Sequence, residues 1–488
     1  MKQNELQVYN TLSGRKEPFV PLEEGKVGMY VCGPTTYNYI HLGNARPLVV
    51  FDTVRRYLEY LGHEVTYVQN FTDVDDKIIN KALEEKQNPL ELAAFYVEEY
   101  FQDAEALNVR RATIHPKVSQ HIGNIIELVQ ALVEKGYAYE SEGDVYFEVS
   151  KFTDYGKLSK RDLNDLQAGA RVEVAEQKRH PADFALWKKA KAGEPSWSSP
   201  WGEGRPGWHI ECSAMSHEYL GETFDIHAGG MDLIFPHHEN EIAQSEACHG
   251  SQMARYWLHN GFITINQEKM SKSLGNFFLL RDILQKFPGA VVRFYLLSTH
   301  YRSPLDFDDQ KLAAAQKGLE RLQTTNRLLK EAWKNNVLEE GKSGTKSEQQ
   351  ILAEGELTGE WLDYKIRFME AMNDDFNTAL AIAVLFELAH AINGLITAVV
   401  NEPQKKQELF LAGKLFAELT EVLGLELDSA GQKGQEELKE EIEALIEKRQ
   451  EARKSKDYQL ADQIRDQLKE KGVILEDTPQ GVRWYFRE

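Results

Sequence analysis

Three groups of side chains in this sequence could do chemistry. The first lies within residues 30–44, YVCGPTTYNYIHLGN, where Cys32 is followed by His41, Gly43 and Asn44. An imidazole and an amide can donate hydrogen bonds to oxygens that gain charge in a transition state. A glycine between them lets a phosphorylated ligand come close to the backbone. The second group is Lys269-Met270-Ser271-Lys272-Ser273. Alone it has the composition of a solvated loop, but two lysines after a strand of a nucleotide-binding fold could bring positive charge to a triphosphate. The third combines Cys32 with Cys212 and the run Pro236-His237-His238-Glu239-Asn240-Glu241. Residues four apart share a helix face, so His237 and Glu241 form the one ligand pair that this spacing offers. Cys248 would stand about 16 Å further along a helix, out of reach for Zn–S bonds of ~2.3 Å. Two thiols, an imidazole and a carboxylate suit a tetrahedral zinc ion. Two buried cysteines beside a surface His/Glu pair fit the spacing too, and on spacing alone more simply.

These groups need elements to hold them. Residues 27–31 read as an apolar strand that delivers Cys32 at its end. After His41, Leu48, Phe51, Val54, Leu58 and Leu61 recur with helical spacing, and residues 65–68 read as a second strand. This is a βαβ unit, in which ligands bind beyond the carboxyl ends of the strands and the helix N-terminus favours a phosphate. Strand signals resume at residues 223–228 and 256–265, with EKMSKSLGN after the last of them, so the sheet is interrupted and then completed. Gly202-x-Gly204-x-x-Gly207 matches the dinucleotide pattern, but it follows a Pro/Ser/Trp run instead of an apolar strand and reads as a loop.

The chain has 488 residues, room for three or four domains of ~150 residues each. Its three cysteines leave one over from any pairing and lie far apart, which points to a reducing, cytoplasmic setting. The N-terminus lacks the apolar core of a signal peptide. The apolar run at residues 379–400 is broken by Glu387, His390 and Asn393, so it reads as a bundle helix and not a membrane span. A formal charge of −20 argues against loose, charge-driven nucleic-acid binding, while a few placed cations and aromatics could still hold a specific RNA. The pattern is helical from Asp308, with a polar loop expected at residues 335–358. A helix start is expected at Asp374-Asp375-Phe376-Asn377-Thr378 and a hinge at residues 428–435. A charged helical hairpin (436–471) and a strand-rich end follow.

In this order the motifs resemble those of the class I aminoacyl-tRNA synthetases, and within them the cysteinyl-tRNA synthetase family. HLGN stands where that class carries its HIGH signature, with Asn44 in place of the second histidine, and KMSKS is the second signature letter for letter. The resemblance extends over YVCGPTTY, FTDVDDKI, LQAGARVEV, GEPSWSSPWGEGRPGWHIECSAM, FDIHAGGMDLIFPHHENEIAQSE, DDFNTA and LEDTPQG, and so over nearly the whole chain. It implies an α/β fold: a Rossmann-like parallel-sheet catalytic domain with an inserted domain, then a helical bundle and a small C-terminal α+β anticodon-binding region. The expected divisions are 1–112 and 207–262 for the two halves of the catalytic domain and 113–206 for the inserted connective domain. Residues 263–315 would form the KMSKS loop and stem-contact region, 316–427 the bundle and 428–488 the anticodon-binding domain.

The resemblance also implies chemistry. ATP and L-cysteine would give cysteinyl-adenylate and pyrophosphate, and the cognate tRNA(Cys) would then take the cysteinyl group, with no protein nucleophile in either step. His41 and Lys272 would serve the transition-state phosphates, Asn44 the ATP phosphates, and Lys269 loop positioning or pyrophosphate. Gly43, Gly230 and Asp232 would hold ATP, with Mg2+ on the leaving pyrophosphate. Cys32, Cys212, His237 and Glu241 would bind one Zn2+ per chain. A thiol ionises on such a metal and is a soft ligand, which a serine hydroxyl is not. Thr72 and Trp208 would enclose the rest of the amino acid, and Arg453, Asp477 and Trp484 would read the tRNA. The protein would act as a monomer with no membrane or DNA partner. A relative that passes cysteinyl-adenylate to an amino-sugar amine would keep the zinc and both signatures. It would lack the long C-terminal third.

Overall fold

The computed structural model describes residues 5–162, 177–265, 268–269, 277–340, 357–428, 457–470, 473–478 and 481–486, with residues 442, 445–446, 448–449 and 452. Lys272, Arg453 and residues 429–435 of the expected hinge lie outside these, as do the side chains of Lys269, Asp477 and Trp484.

Val27, Met29, Tyr30 and Val31 are buried, and the strand Lys26–Val31 has neighbours on both edges. It sits second from one edge of a four-stranded sheet ordered Ala254–Asn260, Phe224–Gly230, Lys26–Val31, Glu64–Gln69. All three pairings are parallel, and apolar runs this continuous belong to strands covered on both faces. The first strand's onward neighbour Glu64–Gln69 lies on one side and the later strand Phe224–Gly230 on the other. The topological switch point therefore falls at the carboxyl end of Lys26–Val31, where a doubly wound sheet opens a crevice. The α/β fold class and the Rossmann-like sheet match the sequence expectation.

Between the halves of this sheet lies an antiparallel one, ordered Ala138–Ser141, Asp144–Phe147, Phe184–Lys189, Gly202–Pro206, Trp197–Ser199. Its first hairpin turns on Glu142 and Gly143, both at positive φ, the two-residue turn that matches strand twist. Here the expected loop at Gly202-x-Gly204-x-x-Gly207 is corrected. Residues 202–206 form a strand, and Gly207 precedes the helix Trp208–Leu220. A Cβ at Gly207 would come within 2.0 Å of the Ala185 carbonyl oxygen, so the glycine serves close backbone packing. The expected strand at residues 256–265 is also two: Ala254–Asn260 in the central sheet, then Ile263–Ile265. The second pairs with Glu268–Lys269 and Leu305–Asp306 in a separate small sheet.

The helix Asp309–Glu340 runs past Asn335, where a loop was expected. It packs with Thr378–Val399 and Lys406–Val422, and Gly359–Asn373 packs on the same two helices. Asn377 caps Thr378–Val399 by accepting the Leu380 N–H at 3.1 Å, as the DDFNT run suggested. That helix is long and apolar enough to cross a membrane by length and composition, but Ala381, Leu385, Leu388 and Ile392 bury one of its faces in the bundle. The last unit, from Leu427 on, contains the helix Tyr458–Glu470 and the hairpin Val473–Thr478/Gly481–Phe486 around Ile442, Ile446, Ile464, Leu468 and Val473.

A buried charge cluster ties the helix Leu42–Tyr60 to the bundle. The Asp52 carboxylate accepts from Arg56 Nε at 2.7 Å and Arg293 Nη2 at 2.6 Å, while Arg293 Nε donates to the Leu423 carbonyl at 2.8 Å. Burial disfavours the Asp52 anion, but the two guanidiniums outweigh it and hold its pKa below the ordinary value. Asp52→Ala would strand two buried cations, a loss of about 3–5 kcal/mol that should appear as a lower urea midpoint. Because the folded pKa is the lower one, the wild-type contribution is complete above about pH 4 and is lost as pH falls through the folded value. The variant should accordingly show a weaker acid dependence of stability.

Candidate active site

The crevice at the switch point is a cavity of about 320 Å³. Its floor and rim are set by the ends of the parallel strands. Cys32 extends the first strand by donating its N–H to the Ala228 carbonyl at 3.2 Å. Gly33 follows because the chain passes against Asn70, whose carbonyl oxygen would lie 1.6 Å from a Cβ there. Asn70 Oδ1 also accepts the Gly33 N–H at 2.9 Å. Cys212 lies in the first turns of Trp208–Leu220, His237 in the helical turn Ile234–His238, and Glu241 in the first turn of the Glu239–His249 helix that follows it.

These four side chains converge, with their ligand atoms all within 4.8 Å of one another. Cys32 Sγ is 3.7 Å from Cys212 Sγ and 3.5 Å from Glu241 Oε1, and His237 Nε2 is 3.0 Å from the same oxygen. Two thiolates on one tetrahedral zinc stand roughly 3.8 Å apart, so the sulfurs already span one edge of such a site. Burial pushes the Cys32 thiol well up, and Cys212 and Glu241 push it the same way. Burial also raises Cys212, but hydrogen bonds with Cys32 and His237 bring it down to about 6. Against burial, Glu241 raises His237 to about 10. One imidazolium cannot balance two thiolates and a carboxylate. A divalent cation offsets two of those three charges where the imidazolium offsets one, so the donor set fits zinc in number and softness, and better in charge.

The neighbours fix these groups. His227 Nε2 is 2.7 Å from Glu241 Oε2, and the His227 ring stacks on Trp257 at 4.4 Å. His209 Nδ1 is 2.9 Å from His237 Nδ1, leaving the latter's Nε2 toward Glu241. Orientation of ligands through their outer atoms is what metal sites require. Sequence spacing missed His238, whose Nε2 lies 3.3 Å from Cys32 Sγ. With Cys32, His227 and Glu241 it forms a second quartet sharing one edge with the first. His238 Nδ1 is 2.8 Å from His259 Nε2. Glu239 is turned the other way. Fully buried, it accepts backbone N–H groups of Gly156 at 2.9 Å and Ser159 at 2.7 Å, anchoring a loop of the inserted sheet.

Trp208 is 39 % exposed and stacks on His237 at 4.4 Å, forming one cavity wall. Thr72 lines the cavity as well, with its hydroxyl donated to Glu211 Oε2 at 2.8 Å. Burial keeps the Glu211 carboxyl well above its usual pKa.

At the other end of the cavity, His41 caps the helix Leu42–Tyr60. Its Nδ1 accepts the Asn44 N–H at 3.2 Å, and Asn44 Oδ1 accepts the His41 N–H at 3.3 Å. This reciprocal box gives the asparagine at the fourth signature position a local structural use. Gly43, Gly230 and Asp232 line the same space. The segment after the second signature comes back to the first: Leu42 N–H donates to the Phe278 carbonyl at 3.1 Å, and Leu280 N–H to Ile40 at 2.9 Å. The Lys269 backbone pairs with Thr264. In the C-terminal hairpin, Asp477 pairs with Val482 and Leu475 with Trp484.

A switch-point crevice with a signature helix on one side and the strand leading to a second signature on the other defines a class I aminoacyl-tRNA synthetase. Comparison with known proteins agrees: residues 18–317 match the model "tRNA synthetases class I (C) catalytic domain", 367–428 the "DALR domain" and 435–484 the "Cysteinyl-tRNA ligase anticodon binding domain". The chain is 63% identical over 482 residues to the cysteine–tRNA ligase of Heliobacterium modesticaldum, covering 98% of this chain and 99% of that one. It is 61% identical over 483 residues to that of Carboxydothermus hydrogenoformans, with the same coverage. A solved Mycobacterium tuberculosis methionyl-tRNA synthetase with methionyl-adenylate shares the fold, with TM-score 0.57 at 15% identity over 83% of this chain and 92% of that one. The chain belongs to the cysteine–tRNA ligase family, enzymes that charge tRNA with cysteine.

Proposed function

We propose that this chain activates L-cysteine with ATP to cysteinyl-adenylate and transfers the cysteinyl group to tRNA(Cys). A zinc ion held by Cys32, Cys212, His237 and Glu241 selects the thiol. One observation carries the reading: Cys32, Cys212 and His237 of a two-thiol, one-imidazole, one-carboxylate cluster line the same cavity as His41, Gly43 and Asn44. When bound, the zinc supplies a soft Lewis acid that favours a thiolate over an alcohol. His227 holds Glu241 from behind and His209 holds His237. Trp208 and Thr72 enclose the remainder of the amino acid.

His41 and Lys272 stabilise charge developing on the α-phosphate, Lys269 positions the loop or meets pyrophosphate, and Mg2+ accompanies ATP. Gly230 and Asp232 bound the adenosine side. Asn44 keeps His41 in its capping geometry and can donate an amide hydrogen to ATP phosphates. Arg453, Asp477 and Trp484 read the anticodon by hydrogen bonds and stacking. The three free thiols suit the cytoplasm.

The test is aminoacylation of purified tRNA(Cys) with cysteine and serine in parallel, with metal analysis of the same preparation. Cysteine charging with one zinc per chain and no serine charging supports the reading; charging by a zinc-free protein overturns the selector. The anticodon assignment has its own test. Trp484→Ala in the full chain should lower kcat/KM for tRNA by about tenfold or more, since stacking of one base contributes ~1–3 kcal/mol. Cysteine-dependent pyrophosphate exchange should stay unchanged. Equal charging of anticodon variants by the wild type would remove the assignment.

A further inference from the structure

Arg46 is fully buried, yet among the described residues no carboxylate pairs with it. Its guanidinium meets only backbone carbonyls. Nη1 donates to Gly261 at 2.8 Å and Phe262 at 2.9 Å, and Nη2 donates to Ser303 at 2.6 Å and His300 at 3.4 Å. Burial lowers its pKa to about 10, which leaves it charged at neutral pH. A buried cation is expensive unless its partners are fixed, and general folding has a simpler solution in this chain. Arg293, equally buried, carries its counter-charge in Asp52.

The carbonyls that Arg46 gathers are not arbitrary. Arg46 stands two residues after Asn44 in the helix that carries the first signature. Gly261 and Phe262 break the central strand Ala254–Asn260 from Ile263–Ile265, whose hairpin partner Glu268–Lys269 enters the second signature. His300 and Ser303 belong to the loop before Leu305–Asp306, the other neighbour of Ile263–Ile265. Gly261 and Phe262 line the cavity together with Gly43 and Asn44. The joint is tight from the other side too, because a Cβ on Gly261 would lie 2.6 Å from the carbonyl oxygens of Arg302 and Ser303.

We infer that Arg46 is a positioning residue for ATP, a clamp whose planar guanidinium spans two loops and fixes the distance between the helix of the first signature and the base of the hairpin that carries the second. A lysine would keep the charge and lose the span, since one ammonium cannot present paired donors in a plane to two segments. The clamp acts at the phosphate end of the cavity. Cys32, Thr72, Trp208 and His237 lie on other elements, so its loss should be felt by ATP and not by cysteine. The inference rests on assigning this cavity to ATP and cysteine.

The experiment is cysteine-dependent ATP–pyrophosphate exchange with the zinc-loaded full chain. Arg46→Lys should raise KM for ATP roughly tenfold or more, while KM for cysteine and the zinc content stay within about twofold. Arg293→Lys is the control of equal burial, expected to lower the melting temperature with KM for ATP unchanged. If Arg46→Lys does not fold, Gly261→Ala disturbs the same joint through its contact with the carbonyls of Arg302 and Ser303 and should give the same ATP-selective rise. Unshifted ATP kinetics, or equal rises for ATP and cysteine, would overturn the clamp. Absence of exchange in the wild type would instead remove the reading of the cavity itself, so the two failures are distinguishable.

Discussion

Replacing Cys32 by serine should abolish tight zinc binding and, with it, both cysteine activation and discrimination against serine. Cys32 is common to both quartets around Glu241, so no rearrangement among the neighbouring histidines restores two thiolates to the site. A hydroxyl is neither acidic nor soft enough to replace the thiolate. Loss of groups that merely orient metal ligands lowers affinity by roughly 10–100-fold, and loss of a ligand should exceed that range. Metal analysis should find well under one zinc per chain, and cysteine-dependent exchange should fall by about 10² or more. Cys212→Ser separates the two quartets. It should behave like Cys32→Ser if Cys212 and His237 complete the site, and should retain zinc if His227 and His238 do. Zinc retained at full stoichiometry in Cys32→Ser, with cysteine still preferred to serine, would mean that the cluster is not the selector.

What the sequence made legible here was local. The strand before Cys32 is a continuous apolar run and the helix after His41 has an apolar stripe, and both are where their patterns put them. The zinc reading of the cluster came from the resemblance, because residue types and spacing alone fit two buried cysteines beside a surface His/Glu pair more simply. What was missed depends on contacts across the chain. Helix arithmetic over residues 236–241 excluded His238, but Phe235 is extended at φ −139°, ψ 131°. The entry to the helix is therefore kinked, and two consecutive histidines both face inward. Glu239 stands in the same run but serves elsewhere. Its partners are N–H groups some 80 residues upstream, which no spacing rule reaches. The break at Gly261 was hidden for the same reason. Residues 256–265 alternate well enough for one strand, and the interruption is imposed by Arg46 and the loop at residues 300–303. The asparagine of HLGN looked like a lost charge, and its reciprocal cap with His41 emerges only once the helix start is fixed.

Lys272→Ala should slow cysteinyl-adenylate formation by about 10² or more while leaving the equilibrium binding of cysteine within a few-fold. Lys272 lies outside the described residues, so the expectation rests on the ends that hold its segment. On one side, Lys269 is paired to Thr264, and Ile263 and Phe262 before it line the cavity. On the other, Leu279 is bridged to His41, with Leu42 and Leu280 hydrogen-bonded across the same junction. Both attachment points belong to the part of the cavity lined by His41, Phe262 and Ile263, the end proposed above for the ATP phosphates. The reaction gathers negative charge on the α-phosphate oxygens and on departing pyrophosphate. A cation placed there acts mainly in the transition state, so its removal lowers the rate and spares ground-state binding of the amino acid. Rapid-mixing measurement of the first step, with cysteine affinity measured separately, distinguishes the cases. A rate within a few-fold of wild type would return Lys272 to a solvated loop and leave His41 alone at the phosphates. A parallel loss of cysteine affinity would place the lysine at the amino-acid end of the cavity instead.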